Sequence, residues 1–119
     1  MQLKIQKGNG LEGEITVPGD KSISHRSIMI ASLADGKSEI SGFLEGEDCL
    51  ATIKVFQKMG IDISRQRGVL VVDGKGLKGL QDPTSDLDFG NSGTSVRLCS
   101  GVLAAQEFSS ILIGDKSLS

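Results

Sequence analysis

The amino-acid sequence predicts a mixed α/β fold built of short elements and tight turns. Short alternating segments typical of strands lie between longer segments whose apolar residues recur at helical spacing. The chain has 16 glycines, and many follow directly after an apolar segment, where a helix or strand must end. At 119 residues, the chain is long enough for one small domain with its own core.

Two strands and a helix are predicted at the start of the chain. Residues 3–5 and 14–17 alternate polar and apolar side chains, as a half-buried strand does. Asp20 or Ser22 can then cap a helix that runs to about Ala34. We expect this helix to bury an apolar face that comprises Ile23, Met29, Ile30, Leu33 and Ala34.

A strand, a second helix and a hairpin follow. Residues 38–43 predict the strand, and the acidic pair Glu47 and Asp48 suits the start of the helix. Residues 61–63 and 69–72 predict the two arms of a hairpin. The apolar stripe of the second helix comprises Leu50, Ile53 and Phe56.

The last third of the chain predicts a loop, a third helix and a final strand. Residues 74–83 are rich in glycine and lysine, Asn91 or Ser92 can cap the helix, and residues 108–113 predict the strand. The polar residues after this strand do not resemble a natural terminal helix or tail, so we expect a truncated chain. The apolar face of the third helix comprises Val96, Cys99 and Leu103.

Composition excludes several classes of function. A net charge of -2 argues against a non-specific nucleic-acid binder, and the absence of Trp and Tyr argues against a base-stacking platform. No apolar run is long enough for a membrane helix, and residues 1–10 have no signal-peptide core. Cys49 and Cys99 are expected to be buried thiols rather than a disulfide, and one histidine makes a zinc site improbable. These features fit a cytoplasmic protein.

The first candidate site is the start of the first predicted helix. Lys21 and Ser22 follow a Pro-Gly turn, and Arg26 shares a helix face with Ser22. A lysine, a hydroxyl, an arginine and free first-turn amides together suit a phosphate or a carboxylate. The alternative is a plain helix start with solvated basic side chains. Basic residues oppose the helix dipole here, which favours a functional reason for them.

The second candidate site is the segment 88–97, in which two glycines flank Asn91 and Ser92 at the start of the third helix. Gly93 would let a ligand approach the backbone closely, and the amides of residues 92–95 could hold an anion. Neither a P-loop nor a dinucleotide fingerprint has this spacing. The alternative is a plain helix cap, with Arg97 either lining the site or bracing the loop.

Other polar residues carry less information. His25 could pack, cap or catalyse. The acidic residues Glu45, Glu47 and Asp48 are expected to cap and solvate rather than to bind a metal ion, and residues 114–117 could form another anion-facing turn.

The two candidate sites match the signatures of a known family. Residues 18–26, PGDKSISHR, resemble the N-terminal signature of the 3-phosphoshikimate 1-carboxyvinyltransferases, and residues 90–97, GNSGTSVR, resemble their second signature. Residues 114–118 resemble a later family segment, so the resemblance runs over almost the whole chain in the expected order. The sister family that acts on UDP-N-acetylglucosamine is a weaker match, because it usually has Lys-Asn where this chain has Lys-Ser.

The resemblance implies a reaction and a fold. In this family the carboxyvinyl group of phosphoenolpyruvate passes to the 5-hydroxyl of shikimate 3-phosphate, and inorganic phosphate leaves, on the shikimate pathway to aromatic amino acids. No metal or organic cofactor is required. The enolpyruvyl transferase fold is built of βαβαββ units, and this chain would hold the first part. Both substrates are anionic, which agrees with the anion sites inferred from the residues.

The resemblance also implies roles for residues. Lys21 would be catalytic and would contact both substrates, while Ser22 and Arg26 would hold shikimate 3-phosphate. Bulk at Gly93 should crowd phosphoenolpyruvate and the competing herbicide glyphosate. The phosphoenolpyruvate side of the site would comprise Lys21, Asn91, Gly93 and Thr94.

Length is where the chain departs from the family, whose members have two domains and are several times longer. Residues 1–18 would be strands of the domain that the C-terminal part completes, and residues 19–119 would begin the other domain. The acid and base carboxylates would lie beyond Ser119. The resemblance therefore implies a fragment that is inactive alone and self-associates, from an enzyme that is a monomer. A complete, non-catalytic phosphate-binding module is the remaining alternative.

Overall fold

The computed structural model describes residues 1–118, and within them helices and strands are interspersed along the chain. The helices are α1 (Lys21–Leu33), α2 (Glu47–Lys58) and α3 (Gly93–Ala104). The strands are β1 (Asp35–Ile40), β2 (Asp62–Gln66), β3 (Val69–Lys75), β4 (Leu87–Asp88) and β5 (Leu112–Ile113). The mixed α/β prediction is therefore confirmed.

The main sheet has three antiparallel strands in the order β1-β3-β2. Its hairpin joins β2 to β3 through Arg67 and Gly68, which both have positive φ, at 52° and 78°. Two such residues in succession are typical of a type I′ turn, whose twist matches that of the flanking strands. The predicted hairpin is confirmed, with both arms longer than expected.

The second sheet is a short parallel pair of β4 and β5. The amide of Leu87 donates to Ile111 at 2.8 Å, and the amide of Phe89 donates to Ile113 at 2.9 Å. The predicted strand 108–113 is thus reduced to Leu112–Ile113, and its partner β4 was not predicted because two residues carry no alternation to detect.

One core joins the helices to the sheet. Ile28 of α1, Phe56 of α2 and Val72 of β3 are fully buried, and Leu87 and Phe89 extend the core to the second sheet. Cys49 and Cys99 are free and buried, as the sequence predicts. Burial raises the pKa of the Cys99 thiol to about 12.

The strands predicted over residues 3–5 and 14–17 are absent. No helix or strand forms in residues 1–18, and all of them are exposed. A strand needs a neighbour to pair its backbone groups, and the described part of the chain offers none to this segment. The assignment of residues 1–18 to a separate domain stays a prediction.

The predicted buried face of α1 is wrong at Ile23, Ile30 and Ala34 and confirmed at Met29. Ile23 and Ile30 are 59% and 67% exposed, and Ala34 lies outside the helix as its exposed C-cap. The buried side carries Ser24, His25, Ile28, Met29, Ala31 and Ser32. Periodicity misled here because polar residues on the buried side form hydrogen bonds and so do not need water.

The strand predicted over residues 38–43 begins earlier, at Asp35. Ala34 has an extended ψ of 161°, so the chain passes from α1 into β1 without a loop. Pairing with β3 then runs from Asp35 opposite Lys75 to Ile40 opposite Leu70.

No helix among residues 1–118 has the length and apolar character needed to cross a membrane.

Gly74 marks the closest approach of the sheet to α1. A Cβ there would lie 2.2 Å from the carbonyl oxygen of Ala31 and 2.3 Å from that of Ala34. Backbone atoms cannot rotate away as a side chain can, so the helix and the strand would have to separate.

We expect Gly74→Ala to lower the free energy of unfolding by about 1–3 kcal/mol, the usual cost of overpacking. Gly101→Ala is the matched control, because a Cβ at that helical position meets no atom within 4 Å. The control should stabilise the chain by roughly 0.5–1 kcal/mol through helix propensity. Urea unfolding measures both changes, and equal stability of the two variants would contradict the close approach at Gly74.

Candidate functional site

The first candidate segment forms the start of α1, and an ion pair joins it to α2. Asp20 is the N-cap, and its carboxylate accepts a hydrogen bond from the amide of Ile23 at 2.7 Å. The ammonium of Lys21 pairs with the carboxylate of Asp48 in the first turn of α2. Hydrogen bonding to Asp48 raises the pKa of Lys21, so its side chain stays cationic at neutral pH. A candidate anion-binding lysine is thus held in place by an acid from another helix.

The other two members of this segment are placed as an anion site requires. Arg26 is exposed, and Ser22 is half-buried. The prediction of free first-turn amides holds only in part, since the amide of Ile23 bonds to the side chain of Asp20 and that of Ser24 to its carbonyl at 3.0 Å. An anion bound here would therefore rely mainly on side chains.

The second candidate segment forms the start of α3. Ser92 is the N-cap, one of the two residues predicted for that position, and its hydroxyl accepts from the amide of Ser95 at 3.2 Å. Asn91 and Thr94 are exposed, and Gly93 is half-buried. Side-chain groups of an amide and a hydroxyl are therefore available to a ligand at this loop.

The prediction that the amides of residues 92–95 hold an anion is wrong for three of the four. Ser92 donates to the carbonyl of Phe89 at 3.1 Å, and Gly93 donates to that of Asn91 at 3.2 Å. Ser95 donates to the hydroxyl of Ser92, as a capped helix requires. The segment does cap a helix, so an anion bound here would rely mainly on side chains.

A buried polar cluster connects the two segments. The Nδ1 atom of His25 lies 2.8 Å from the hydroxyl of Thr52 and 2.9 Å from that of Ser95. These two hydroxyls are themselves 2.8 Å apart, and Ser95 lies 2.7 Å from the hydroxyl of Ser92. His25, Thr52 and Ser95 are fully buried and come from the first two turns of α1, α2 and α3. The starts of three helices therefore converge.

The surroundings of His25 keep its ring neutral. Burial lowers the pKa of His25, and the nearby charge of Lys21 lowers it further, against an opposing effect of Asp48. The Nε2 atom lies 3.9 Å from the sulfur of Cys49, whose own pKa is raised by burial and by Asp48. A neutral imidazole has one donor and one acceptor, which matches a sulfur on one side and hydroxyls on the other.

A third loop lies against the second segment. The amide of Asp115 donates to the carbonyl of Gly90 at 2.8 Å, and a Cβ at Gly93 would lie 3.8 Å from Leu118. Hydrogen bonds from Ser117 lower the pKa of the Asp115 carboxyl, so this carboxyl is ionised at neutral pH beside the basic residue Lys116. The idea that residues 114–117 face an anion stays a prediction.

An open groove of about 290 Å³ lies beside Lys21. Glu47, Asp48 and Cys49 line it from the start of α2, with Leu44 and Gly46 from the preceding loop. The hydroxyl of Ser24 fixes that loop by accepting from the amide of Leu44 at 3.0 Å. Asp48, expected only to cap and solvate, therefore belongs to the site.

Sequence reasoning missed Asp48, Thr52 and Ser95 as members of the site. Their partners Lys21 and His25 lie far away in the sequence, and no local pattern links residues at such separations. One sequence signal could have indicated these residues. Each helix carries polar residues on the same side as its buried apolar residues, and buried polar residues need hydrogen-bond partners within the protein.

The starts of three helices thus converge in a mixed α/β domain, beside a groove that Lys21 and Asp48 line. Helix starts of this kind bind phosphate in many enzymes. The model of the EPSP synthase family (3-phosphoshikimate 1-carboxyvinyltransferase) matches residues 5–119. The chain belongs to this family, as the resemblance of its two signatures indicated.

Curated relatives and solved structures agree with the family. The chain is 55% identical over 120 residues to the 3-phosphoshikimate 1-carboxyvinyltransferase of Hydrogenovibrio crunogenus, covering 100% of this chain and 27% of that protein. It is 58% identical over 115 residues to the enzyme of that name from Ruthia magnifica, covering 97% and 26%. EPSP synthase from Acinetobacter baumannii superposes with a TM-score of 0.84 at 54% identity, covering 90% of this chain and 24% of that one. The chain thus spans about a quarter of the length of these relatives.

The free energy of unfolding is expected to fall as the pH drops below about 6.5, the ordinary pKa of histidine. His25 is the chain's one histidine, and its pKa in the folded chain is lowered. The unfolded chain then binds a proton that the folded chain excludes. The contribution of His25 is complete above the unfolded pKa and is lost as the pH falls through the folded pKa.

Urea unfolding of the chain at a series of pH values between about 7.5 and 5.5 measures this slope. His25→Asn removes the titrating group but keeps a hydrogen-bonding atom near the position of Nδ1, so its slope should be smaller over this range. Identical slopes for the two proteins would show that His25 titrates alike in the folded and unfolded chains.

Proposed function

We propose that this chain is part of an enzyme that transfers the carboxyvinyl group of phosphoenolpyruvate to the 5-hydroxyl of shikimate 3-phosphate. The acceptor hydroxyl loses its proton as its oxygen bonds to the substituted carbon of phosphoenolpyruvate, and the methylene carbon gains a proton, which gives a tetrahedral intermediate. This intermediate then loses inorganic phosphate and a proton from the new methyl group, which restores the vinyl double bond. The single observation that carries the proposal is the joining of the two signature segments by the buried contact between His25 and Ser95, at 2.9 Å. Family membership supports the choice of reaction.

The proposed substrate roles follow from side-chain charge and exposure. Arg26 is exposed at the start of α1 and would form charge-assisted hydrogen bonds to shikimate 3-phosphate beside the half-buried Ser22. Lys21 would contact both substrates, since its helix is linked to that of Gly93. Asn91 and Thr94 would border phosphoenolpyruvate.

Asp48 gives Lys21 a defined role in this proposal. The pair keeps the ammonium at the edge of the groove, with the Lys21 side chain still 53% exposed. An arriving anion would compete with Asp48 for the same cation, so the lysine is both held in place and accessible.

Because phosphorylated substrates do not cross membranes unaided, we place the enzyme in the cytoplasm.

A chimeric enzyme tests the proposal. In it, this chain replaces the matching segment of the Hydrogenovibrio crunogenus relative, which supplies the other three quarters of the length. We expect the chimeric enzyme to release inorganic phosphate from phosphoenolpyruvate when shikimate 3-phosphate is present. A folded chimeric enzyme that turns over neither substrate, or that prefers UDP-N-acetylglucosamine as acceptor, would refute the assignment.

Arg26→Ala in the chimeric enzyme should raise the KM for shikimate 3-phosphate about ten- to a hundredfold, the loss expected for a charge-assisted hydrogen bond. The matched control is Arg67→Asn, which removes an equal charge from the exposed hairpin turn. Asn tolerates the positive φ of 52° at that position, so the control adds no strain. Equal effects of the two substitutions would assign the loss to net charge rather than to a contact.

Gly93→Ala should raise the inhibition constant of the chimeric enzyme for glyphosate, because a methyl group at the wall of the site narrows the space for phosphoenolpyruvate and for its competitor. The fold itself accommodates this methyl group, whose nearest contact would be Leu118 at an ordinary 3.8 Å. Steady-state inhibition measures the effect, and thermal unfolding serves as the control. An unchanged inhibition constant would place Gly93 away from the phosphoenolpyruvate side.

A further inference from the structure

One neutral tautomer of His25 satisfies all the contacts of the buried cluster. The sulfur of Cys49 lies 3.7 Å from the carbonyl oxygen of Lys21, to which it can only donate. The sulfur then accepts from Nε2–H of His25, so the Nδ1 atom is the acceptor for the hydroxyls beside it. The neutral tautomer with a proton on Nε2 satisfies each of these contacts.

A directed series of hydrogen bonds follows from this assignment. In the arrangement that uses the shortest contacts, Ser92 donates to Ser95, Ser95 to Thr52, and Thr52 to Nδ1 of His25, over 2.7, 2.8 and 2.8 Å. The Thr52 hydroxyl then does not donate to the carbonyl of Asp48, which lies farther away at 3.4 Å. The imidazole then donates to Cys49, and Cys49 donates to the first carbonyl of α1. The series begins at the N-cap of α3 and ends at Lys21, so it spans both candidate segments.

The series fixes side chains that the proposed reaction does not itself use. In the described residues no buried side-chain nitrogen or oxygen is left without a hydrogen-bond partner. Removing the imidazole would break the contacts of 2.8 and 2.9 Å that tie the hydroxyls of Thr52 and Ser95 to α1, while those two hydroxyls stay bonded to each other. The loss of these ties favours a shift of α3 relative to α1. Such a shift would move Gly93 and Thr94 away from Lys21 without unfolding either helix.

We propose that His25 is a positioning residue, which holds the starts of α1 and α3 in the relative placement that two neighbouring anionic substrates require. The inference rests on the proposed function for its substrates, but the coupling between the two segments can be measured without turnover. His25 is buried and touches no substrate, so it acts through Lys21 on one side and through the Ser92 cap on the other.

Kinetics of the chimeric enzyme separate positioning from mere stability. His25→Leu fills a similar volume without hydrogen bonds. We expect it to raise the KM for both substrates about tenfold, because the residues that contact the substrates would be displaced from their binding positions. His25→Asn retains a hydrogen-bonding atom near the position of Nδ1 and should remain within about threefold of the parent. Loss of folded protein alone would lower the apparent kcat and leave both KM values unchanged.

A matched serine and a double substitution sharpen the test. Ser95→Ala should raise both KM values, and adding it to His25→Leu should cost little more, because both changes break one network. Ser100→Ala is the control, since that exposed hydroxyl on α3 bonds only within its own helix, to Val96 at 2.6 Å. Unchanged KM values in folded His25→Leu, or no recovery with His25→Asn, would overturn the proposal.

Amide chemical shifts of the 119-residue chain decide the coupling independently of turnover. His25→Leu should displace the amide signals of Gly93 and Thr94, which lie on another helix, and His25→Asn should return them towards the parent positions. If the chimeric enzyme is inactive but these shifts occur, the reaction assignment fails and the coupling stands. Signals of Gly93 and Thr94 that do not move would refute the coupling.

Discussion

The hydrogen-bonded contact among His25, Thr52 and Ser95 places the first two turns of three helices against one another. All three side chains are fully buried, so each must satisfy its polar atoms within the protein. Apolar packing tolerates small sliding of one helix against another, whereas hydrogen bonds between 2.8 and 2.9 Å tolerate little. The cluster therefore sets the relative positions of the helix starts, and the candidate site inherits its geometry from them.

Capping and ligand binding compete for the same groups at these helix starts. Asp20 and Ser92 occupy amides that an anion would otherwise use, and Asp20 adds a negative charge of its own. The helices gain stability from their caps, typically about 1 kcal/mol for each. In the proposed function, recognition of phosphate would therefore fall to long cationic side chains such as Lys21 and Arg26. This division would account for the basic residues of the first signature segment and for the hydroxyl residues of both.

Local sequence patterns were sufficient for the elements that local chemistry determines. The caps Asp20 and Ser92 and the hairpin turn at Gly68 depend on neighbouring residues, and each was predictable. The pairing of Lys21 with Asp48 and the burial of His25 depend on residues far apart in the chain, and neither was. The face of α1 was misjudged for the same reason, because periodicity identifies an apolar face but not the partner that covers it. Residues 1–18 show the limit most clearly, since alternation predicts a strand only where a neighbouring strand exists.

Because both cysteines are buried, the rates at which a thiol reagent labels them measure opening of the fold. Cys49 lies on α2 and Cys99 on α3, both fully enclosed, and the pKa of about 12 for Cys99 keeps its sulfur protonated in the closed state. An alkylating reagent can therefore reach the sulfur of Cys99 only while α3 is lifted from the core, whereas Cys49 borders the groove beside Lys21 and is also uncovered when the loop before α2 moves. Labelling of Cys99 reports opening of α3, and equal labelling rates at the two positions identify excursions in which the whole domain opens at once.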